Sequence, residues 1–211
     1  MANDPNLSGQ VESVILLPAP RQKSETSIEA ALWRRRSVRE LRGEALTLAE
    51  VSQLLWATQG ITNPEGRRTA PSAGATYPLE VFLVAGKEGS MPAGVYRYRP
   101  RQHDLVCLAE GDRRTKLAAA ALDQDWLNDA PVTIAIAAVY ERTARKYRQR
   151  AERYVHMEVG HAAQNVHLQA VALGLGTVVV GAFDDAAVKR VLNLADNEQP
   201  LCLLPLGKPR P

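Results

Sequence analysis

Apolar residues recur along this chain in two rhythms, one of three to four residues and one of two, and these divide it into helical and extended segments. Thr26-Ser27-Ile28-Glu29 has the form of a capping box, a hydroxyl followed three residues later by a carboxylate, and predicts a helix through Trp33 toward Arg36. Thr47-Leu48-Ala49-Glu50 repeats the device ahead of Val51, Leu54, Leu55 and Ala57, with Gly60 placed to end that helix. Strands are expected over Leu79 to Ala85, over the strictly alternating Gly94 to Arg99, and over Leu105 to Leu108 as its hairpin partner. Asp112 to Leu122 reads as helix. The continuous apolar run Val132 to Val139 reads as a buried strand.

The longest helical pattern runs from about Glu141 to Leu173, with Val155, Val159, Ala162, Ala163, Val166, Ala170 and Leu173 on one face. Its first half is basic and its second half apolar. A short strand at Thr177 to Val180, a helix capped by Asp184 and running through Leu194, and a last strand at Leu201 to Leu206 complete the pattern. Residues 1–25, rich in Pro, Ser and Gln, read as a flexible leader, and residues 26–211 as a single domain. Helices and strands interleave without a regular strand–helix–strand rhythm, so the expected class is α+β rather than a doubly wound sheet.

Composition narrows the picture little. Over 211 residues, 45% are hydrophobic, enough for one sizeable core, and the formal charge of +3 does not argue for nucleic acid. The two cysteines, Cys107 and Cys202, sit in apolar runs and suit buried free thiols. No stretch has the apolar length of a membrane span, and the polar N-terminus lacks a targeting pattern, so a cytoplasmic location without membrane contact is expected. Basic residues clump at Arg34 to Arg42 and Arg142 to Arg153, where a solvated helix face is the plain reading.

Three segments carry candidate chemistry. Arg35-Arg36-Ser37-Val38-Arg39 gathers guanidinium forks and a hydroxyl suited to an anion, although the same residues would also complement a helix end. Arg68 to Pro78, with Pro71-Ser72-Ala73-Gly74 at its centre, is a loop of small residues through which backbone can approach a flat ligand, or an ordinary turn-rich connection. Gly174 to Asp185 is rich in glycine, but its glycines follow a helix and precede a strand. That is the reverse of a dinucleotide fingerprint, so that reading is rejected, while Gly181-Ala182 leaves room beside a strand end. Glu158 and His161 make a single Glu-x-x-His without partner glutamates. A polar stripe of Glu158, His161 and Asn165, hydrogen-bonded across a dimer, is preferred to a metal site, and no metal is expected.

In order and spacing these segments resemble the nitroreductase superfamily of flavoproteins, and within it the SagB/ThcOx branch of azoline dehydrogenases. The resemblance covers about residues 26–208. It is carried by R-R-S-V-R, P-S-A-G-A-T-Y-P, E-V-G-H-A-A-Q-N-V-H-L-Q-A-V-A-L-G-L-G and V-G-A-F-D. It implies the FMN-dependent nitroreductase fold, a mainly antiparallel sheet flanked by helices, in a homodimer packed through long helices including 150–173. By the same resemblance Arg35, Arg36, Ser37 and Arg39 would hold the FMN phosphate and the pyrimidine edge of its ring. Pro71, Ser72, Ala73 and Gly74 would line the ring, partly from the partner subunit, and Val180, Gly181 and Ala182 would cover it. Lys208 and Arg210 would assist at the phosphate, a looser match because longer relatives continue past this point.

Lys146-Tyr147 resembles the Lys-Tyr pair of azoline dehydrogenases. Forming an aromatic ring removes a hydride and a proton, so a base is needed beside the flavin, and neighbouring cations favour the neutral lysine. Adjacent positions do not share a helix face, so two solvated residues are the competing reading. Three functions follow from the resemblance: hydride transfer between a small or peptide-derived substrate and FMN, NAD(P)H-fed reduction of nitro compounds or quinones, and non-catalytic flavin binding.

Overall fold

The computed structural model describes residues 13–210. Its centre is an antiparallel sheet in the order β1-β5-β4-β3-β6-β8-β2, with β7 added beside β8. In chain order the strands are β1 (Val14–Leu16), β2 (Leu41–Arg42), β3 (Leu79–Ala85), β4 (Gly94–Arg99), β5 (Asp104–Glu110), β6 (Val132–Ala138), β7 (Gly176–Thr177) and β8 (Gln199–Pro209). The helices are α1 (Ile28–Arg34), α2 (Leu48–Gln59), α3 (Arg114–Ala120), α4 (Tyr140–Tyr147), α5 (Ala151–Ala172) and α6 (Asp185–Leu192).

Helices cover both sheet faces. Val81, Leu83, Ile134, Ile136, Leu204 and Leu206 point to a core shared with α2 and α5. Phe82, Val84, Ala135, Ala137 and Leu203 point to a second core shared with α3 and α6. Successive residues of a strand alternate between faces, so a strand buried on both must be apolar at every position. That is why β3 and β6 read as nearly unbroken apolar runs. The architecture is the expected α+β class, a mainly antiparallel sheet flanked by helices. Among the described residues no helix is long and apolar enough to cross a membrane.

The capping box at Thr47 forms as written: the Thr47 side chain accepts from the Glu50 amide, and the Glu50 carboxylate accepts from the Thr47 amide. At α1 the cap is Ser27 rather than Thr26, its hydroxyl accepting from Ala30 N at 3.2 Å. Three further differences matter. Val14–Leu16, within the expected leader, pairs with Asp104–Val106 at the sheet edge. Leu41–Arg42 forms β2, which the sequence pattern does not mark, by pairing with β8. The long helix is two helices, because Arg148 adopts φ 47° at the end of α4 and residues 148–150 form a single tight turn before α5. A positive φ takes that residue out of the right-handed helix and re-aims the chain.

Candidate functional site

Helix α5 organises the candidate residues, and it carries two groups of them at different heights. Toward its C-terminal end lies the arginine segment. Arg35 is the C-cap of α1. The chain then runs alongside β7, where Val38 N donates to Thr177 O at 2.9 Å and Ser37 bridges Thr177 in parallel. Gly176 permits this approach, since a Cβ there would stand 2.8 Å from Val38 Cβ. A groove of about 280 Å³ opens here, lined by Arg34, Arg36, Val38, His167, Gly174 and Thr177. The Thr177 hydroxyl is buried without a partner. His167 is held below the usual imidazole range, first by burial and then by the Arg35 charge, which keeps it neutral.

The cations in this region differ in what they can offer. Arg36 turns back to donate to Trp33 O and Arg35 O, at 2.9 and 2.8 Å, and so caps its own helix. Arg39 is exposed and makes no hydrogen bond or ion pair among the described residues. Lys208 pairs with Glu44 at 2.7 Å, and Arg210 with Asp129 at 3.0 Å, while Arg210 Nε donates to Leu41 O. Val180 is pinned by reciprocal backbone bonds to Leu203, at 2.8 and 2.9 Å. The exposed Gly181-Ala182 turn follows it, and a Cβ at Gly181 would meet nothing within 4 Å.

The second group lies toward the N-terminal end of α5. Residues 73–75 form a tight turn in which Gly74 has φ 59°. Ala75 and Tyr77 also take positive φ, at 55° and 45°. The turn is tied down on several sides. Ser72 Oγ accepts from Tyr77 N at 2.9 Å, Thr76 and Thr143 share a hydroxyl contact at 2.9 Å, and Arg142 donates to Tyr77 O at 3.0 Å. Lys146 and Tyr147 occupy the last turn of α4 and both reach the loop. Lys146 Nζ is 3.5 Å from Gly74 O, and a Cβ on Gly74 would lie 2.6 Å from both Lys146 Nζ and Tyr147 Oη. Their adjacency is no obstacle, because both side chains lean over the glycine at the helix end. Tyr154 of α5 holds the Tyr147 ring edge-on, with centroids 4.9 Å apart.

Beneath this loop is a polar layer that the sequence patterns do not isolate. Glu158 and Gln59 are buried, and Arg68 stacks over the Tyr77 ring at 4.9 Å. Burial pushes the Glu158 carboxyl up to about 7, against the opposing pull of Ser72, Arg68 and Gln59. Asn165 donates to Ala57 O and Thr69 O, at 3.1 and 3.2 Å. The amide nitrogen of this stripe member therefore bonds within the chain, joining α2 to the loop.

The two groups do not meet within one chain. The 71–73 loop packs near Tyr154, Glu158 and His161, whereas the arginine groove is lined by His167, Val171 and Gly174. From His161 to the nearest groove residue on the helix, His167, is six residue steps, about 9 Å along the axis.

Comparison with known proteins gives a consistent set of relatives. The model described as the nitroreductase family matches residues 32–208. A protein of Methanocaldococcus jannaschii that carries a nitroreductase name is 48% identical over 184 residues, covering 87% of this chain and 92% of that protein. A crystal structure from Ralstonia eutropha, also named as a nitroreductase, superposes with TM-score 0.84 at 30% identity, covering 96% of this chain and 92% of that one. A chain of the Escherichia coli microcin synthetase McbBCD complex, solved with truncated pro-MccB17 bound, superposes with TM-score 0.75 at 26% identity, covering 96% of this chain and 80% of that one.

Proposed function

The chain belongs to the nitroreductase family of oxidoreductases, and from that premise we propose that it is an FMN-dependent dehydrogenase of the SagB/ThcOx type, with each site built from two copies of the chain. The observation that carries this reading is the convergence of Lys146 and Tyr147 on Gly74. A basic side chain and a phenol are thereby placed on the loop expected to line the flavin.

The residues fit the cofactor. Ser37, bridged to Thr177 with its unpaired hydroxyl, and the flanking Arg35 and Arg39 would supply donors for a phosphate and for the carbonyl edge of a flat ring. The exposed Gly181-Ala182 turn, anchored by Val180, leaves open space beside Gly181. Lys208, near the end of β8, and Arg210, just past it, pair at present with Glu44 and Asp129 and would have to exchange these carboxylates for the phosphate. FMN, when bound, supplies a hydride acceptor or donor. The protein holds it, excludes water and manages the proton.

A second copy completes the site. The small-residue loop 71–74 and the arginine groove lie on separate stretches of α5, so one copy presents its loop to the other's groove. The exposed apolar residues Ile28, Leu32 and Trp33 of α1 and Met157 of α5 supply a surface for that contact. Trp33 is 79% exposed in the single chain, which an unpartnered surface does not favour. Lys146 then takes the proton from the substrate carbon, and Tyr147 orients it. A peptide-derived heterocycle is the proposed substrate class, and the likeness to a peptide-bearing synthetase complex supports it.

A Lys146→Ala variant is expected to keep FMN and to lose oxidation of an azoline peptide. A variant that oxidises the peptide at the parental rate removes the base from the account. The second reading, NAD(P)H-fed reduction of nitro compounds or quinones, is favoured by the nitroreductase-named relatives. Rapid bleaching of the bound flavin by NADH or NADPH distinguishes it.

A further inference from the structure

Helix α5 buries one carboxyl that proton transfer at Lys146 does not use. Glu158 is 2% exposed and its Oε1 has no hydrogen-bond partner. Gln59 of α2 is fully buried, and neither its amide nitrogen nor its amide oxygen is paired. Gln59 and the Ser72 hydroxyl both stand close enough to act on the Glu158 charge. Buried polar groups are paired as a rule, so three orphans on neighbouring side chains point to one shared arrangement. Between these two side chains only one protonation state pairs all three atoms, while the likewise unpaired Arg68 Nε favours the carboxylate. A carboxylic acid donates its O–H to the Gln59 oxygen and accepts from the Gln59 nitrogen. A carboxylate can only accept, which leaves the Gln59 oxygen without a donor.

We propose that Glu158 is a positioning residue for the 71–74 loop: neutral and joined to Gln59 it supports Ser72 from below, and ionised it lets the loop shift. The loop needs support, because Ala75 and Tyr77, on either side of Thr76, both hold positive φ next to Gly74. The loop also has room to shift. An open groove of about 280 Å³ lies between it and α5, lined by Ser72, Ala73, Tyr154, Met157, Glu158 and His161. The charged and titratable groups around Glu158 are Arg68 and Tyr77 from the loop segment and Tyr154 and His161 from its own helix, while α2 presents the neutral Gln59. Of these, Arg68 draws the carboxyl toward ionisation and burial opposes it more strongly. The loop's position, and with it the placement of Gly74 under Lys146, therefore responds to pH near neutrality.

The consequence for FMN rests on the proposed function, so the test has two arms. In the first, FMN affinity is measured by flavin fluorescence from pH 5.5 to 9 for the wild type and for Glu158→Gln, which keeps the shape and cannot ionise. Above pH 7 the wild type is expected to lose affinity relative to the variant by up to about tenfold per pH unit. Parallel profiles overturn the proposal. In the second arm the flavin-free protein is followed by hydrogen exchange at Tyr77 N, which donates to Ser72 Oγ at 2.9 Å. Its exchange in the wild type is expected to rise above pH 7 more steeply than in Glu158→Gln, and equal slopes overturn the proposal. If neither protein binds FMN, the proposed function fails and the exchange arm alone decides. If the variant does not fold, wild-type exchange at Tyr77 must still rise more steeply than at other exchanging amides of the chain, and a common slope counts against the proposal.

Discussion

Replacing Gly74 by alanine asks whether the 71–74 loop and the end of α4 form one site. Gly74 sits at φ 59° and ψ 21°, a left-handed conformation that costs a residue with a Cβ roughly 1–2 kcal/mol. The added Cβ would stand 2.6 Å from Lys146 Nζ and from Tyr147 Oη, and 2.9 Å from Lys146 Cδ. The lysine tip is exposed and moves at small cost. The Tyr147 ring is less free, because Tyr154 holds it edge-on at 4.9 Å, a contact worth about 0.5–1.5 kcal/mol. Together these give a destabilisation of about 2–3 kcal/mol, or a melting temperature lowered by roughly 4–12 °C in a chain of this size. The effect on rate should be larger in proportion. A displacement on the order of 1 Å at a reacting group costs on the order of 100-fold. Calorimetry and single-turnover oxidation, run on the same preparation, read the two effects separately. Gly111→Ala is the control: Gly111 has φ 85°, but a Cβ there meets nothing within 4 Å, so it carries backbone strain without touching the site. If Gly74→Ala turns over as fast as Gly111→Ala, the loop and the Lys-Tyr pair do not act together.

Three further outcomes follow from buried groups. Glu158 titrates near 7 in the folded chain against an ordinary 4.5, so the folded state holds the extra proton between those values and stability falls as pH rises from about 4.5 to 7. The shift is on the order of 3 kcal/mol, and Glu158→Gln should remove that slope in chemical denaturation curves, whereas an unchanged slope assigns it to another group. Arg97 joins the buried Glu198 through two bonds of 2.6 and 2.9 Å and also meets Glu80, so Arg97→Met should cost about 3–5 kcal/mol by stranding the Glu198 carboxylate, and a loss below 1 kcal/mol would refute this. Burial pushes the Cys202 thiol up to about 12, so a maleimide should label the half-buried Cys107 first and Cys202 only on unfolding, as peptide mass mapping would show.

Much of this architecture is readable from residues alone, where local chemistry and tertiary structure agree. Thr47 and Glu50 announce a helix start and make both bonds of the capping box. The apolar runs of β3 and β6 report burial on two faces. Where a feature depends on a distant partner, the sequence is silent. Nothing in Arg148-Gln149-Arg150 disfavours helix, yet the turn between α4 and α5 places Arg148 at positive φ. Leu41–Arg42 becomes a strand only because β8 lies beside it.

The site divides in the same way. The types of Arg35, Ser37 and Arg39 suggest an anion site, but not that Arg36 turns back to cap α1 or that Lys208 finds Glu44 across the sheet. Helical periodicity argues against Lys146 and Tyr147 acting together, because it assumes a mid-helix position. At the last turn of α4 both reach Gly74. Glu158 appears in sequence as one member of a polar stripe. Its burial, with one carboxylate oxygen unpaired, emerges only when α2 and the loop close over it.

The central claim is that one copy's arginine segment and another copy's 71–74 loop build each flavin site. Co-expression of two differently tagged chains tests it, one carrying Arg35→Glu with Arg39→Glu and the other carrying Gly74→Trp, each of which alone should fail to retain FMN. Tandem-purified mixed dimers are predicted to hold one FMN per dimer, because pairing the two intact halves restores one site and concentrates both lesions in the other. Mixed dimers without flavin, or a mixed preparation that never forms, would contradict the account.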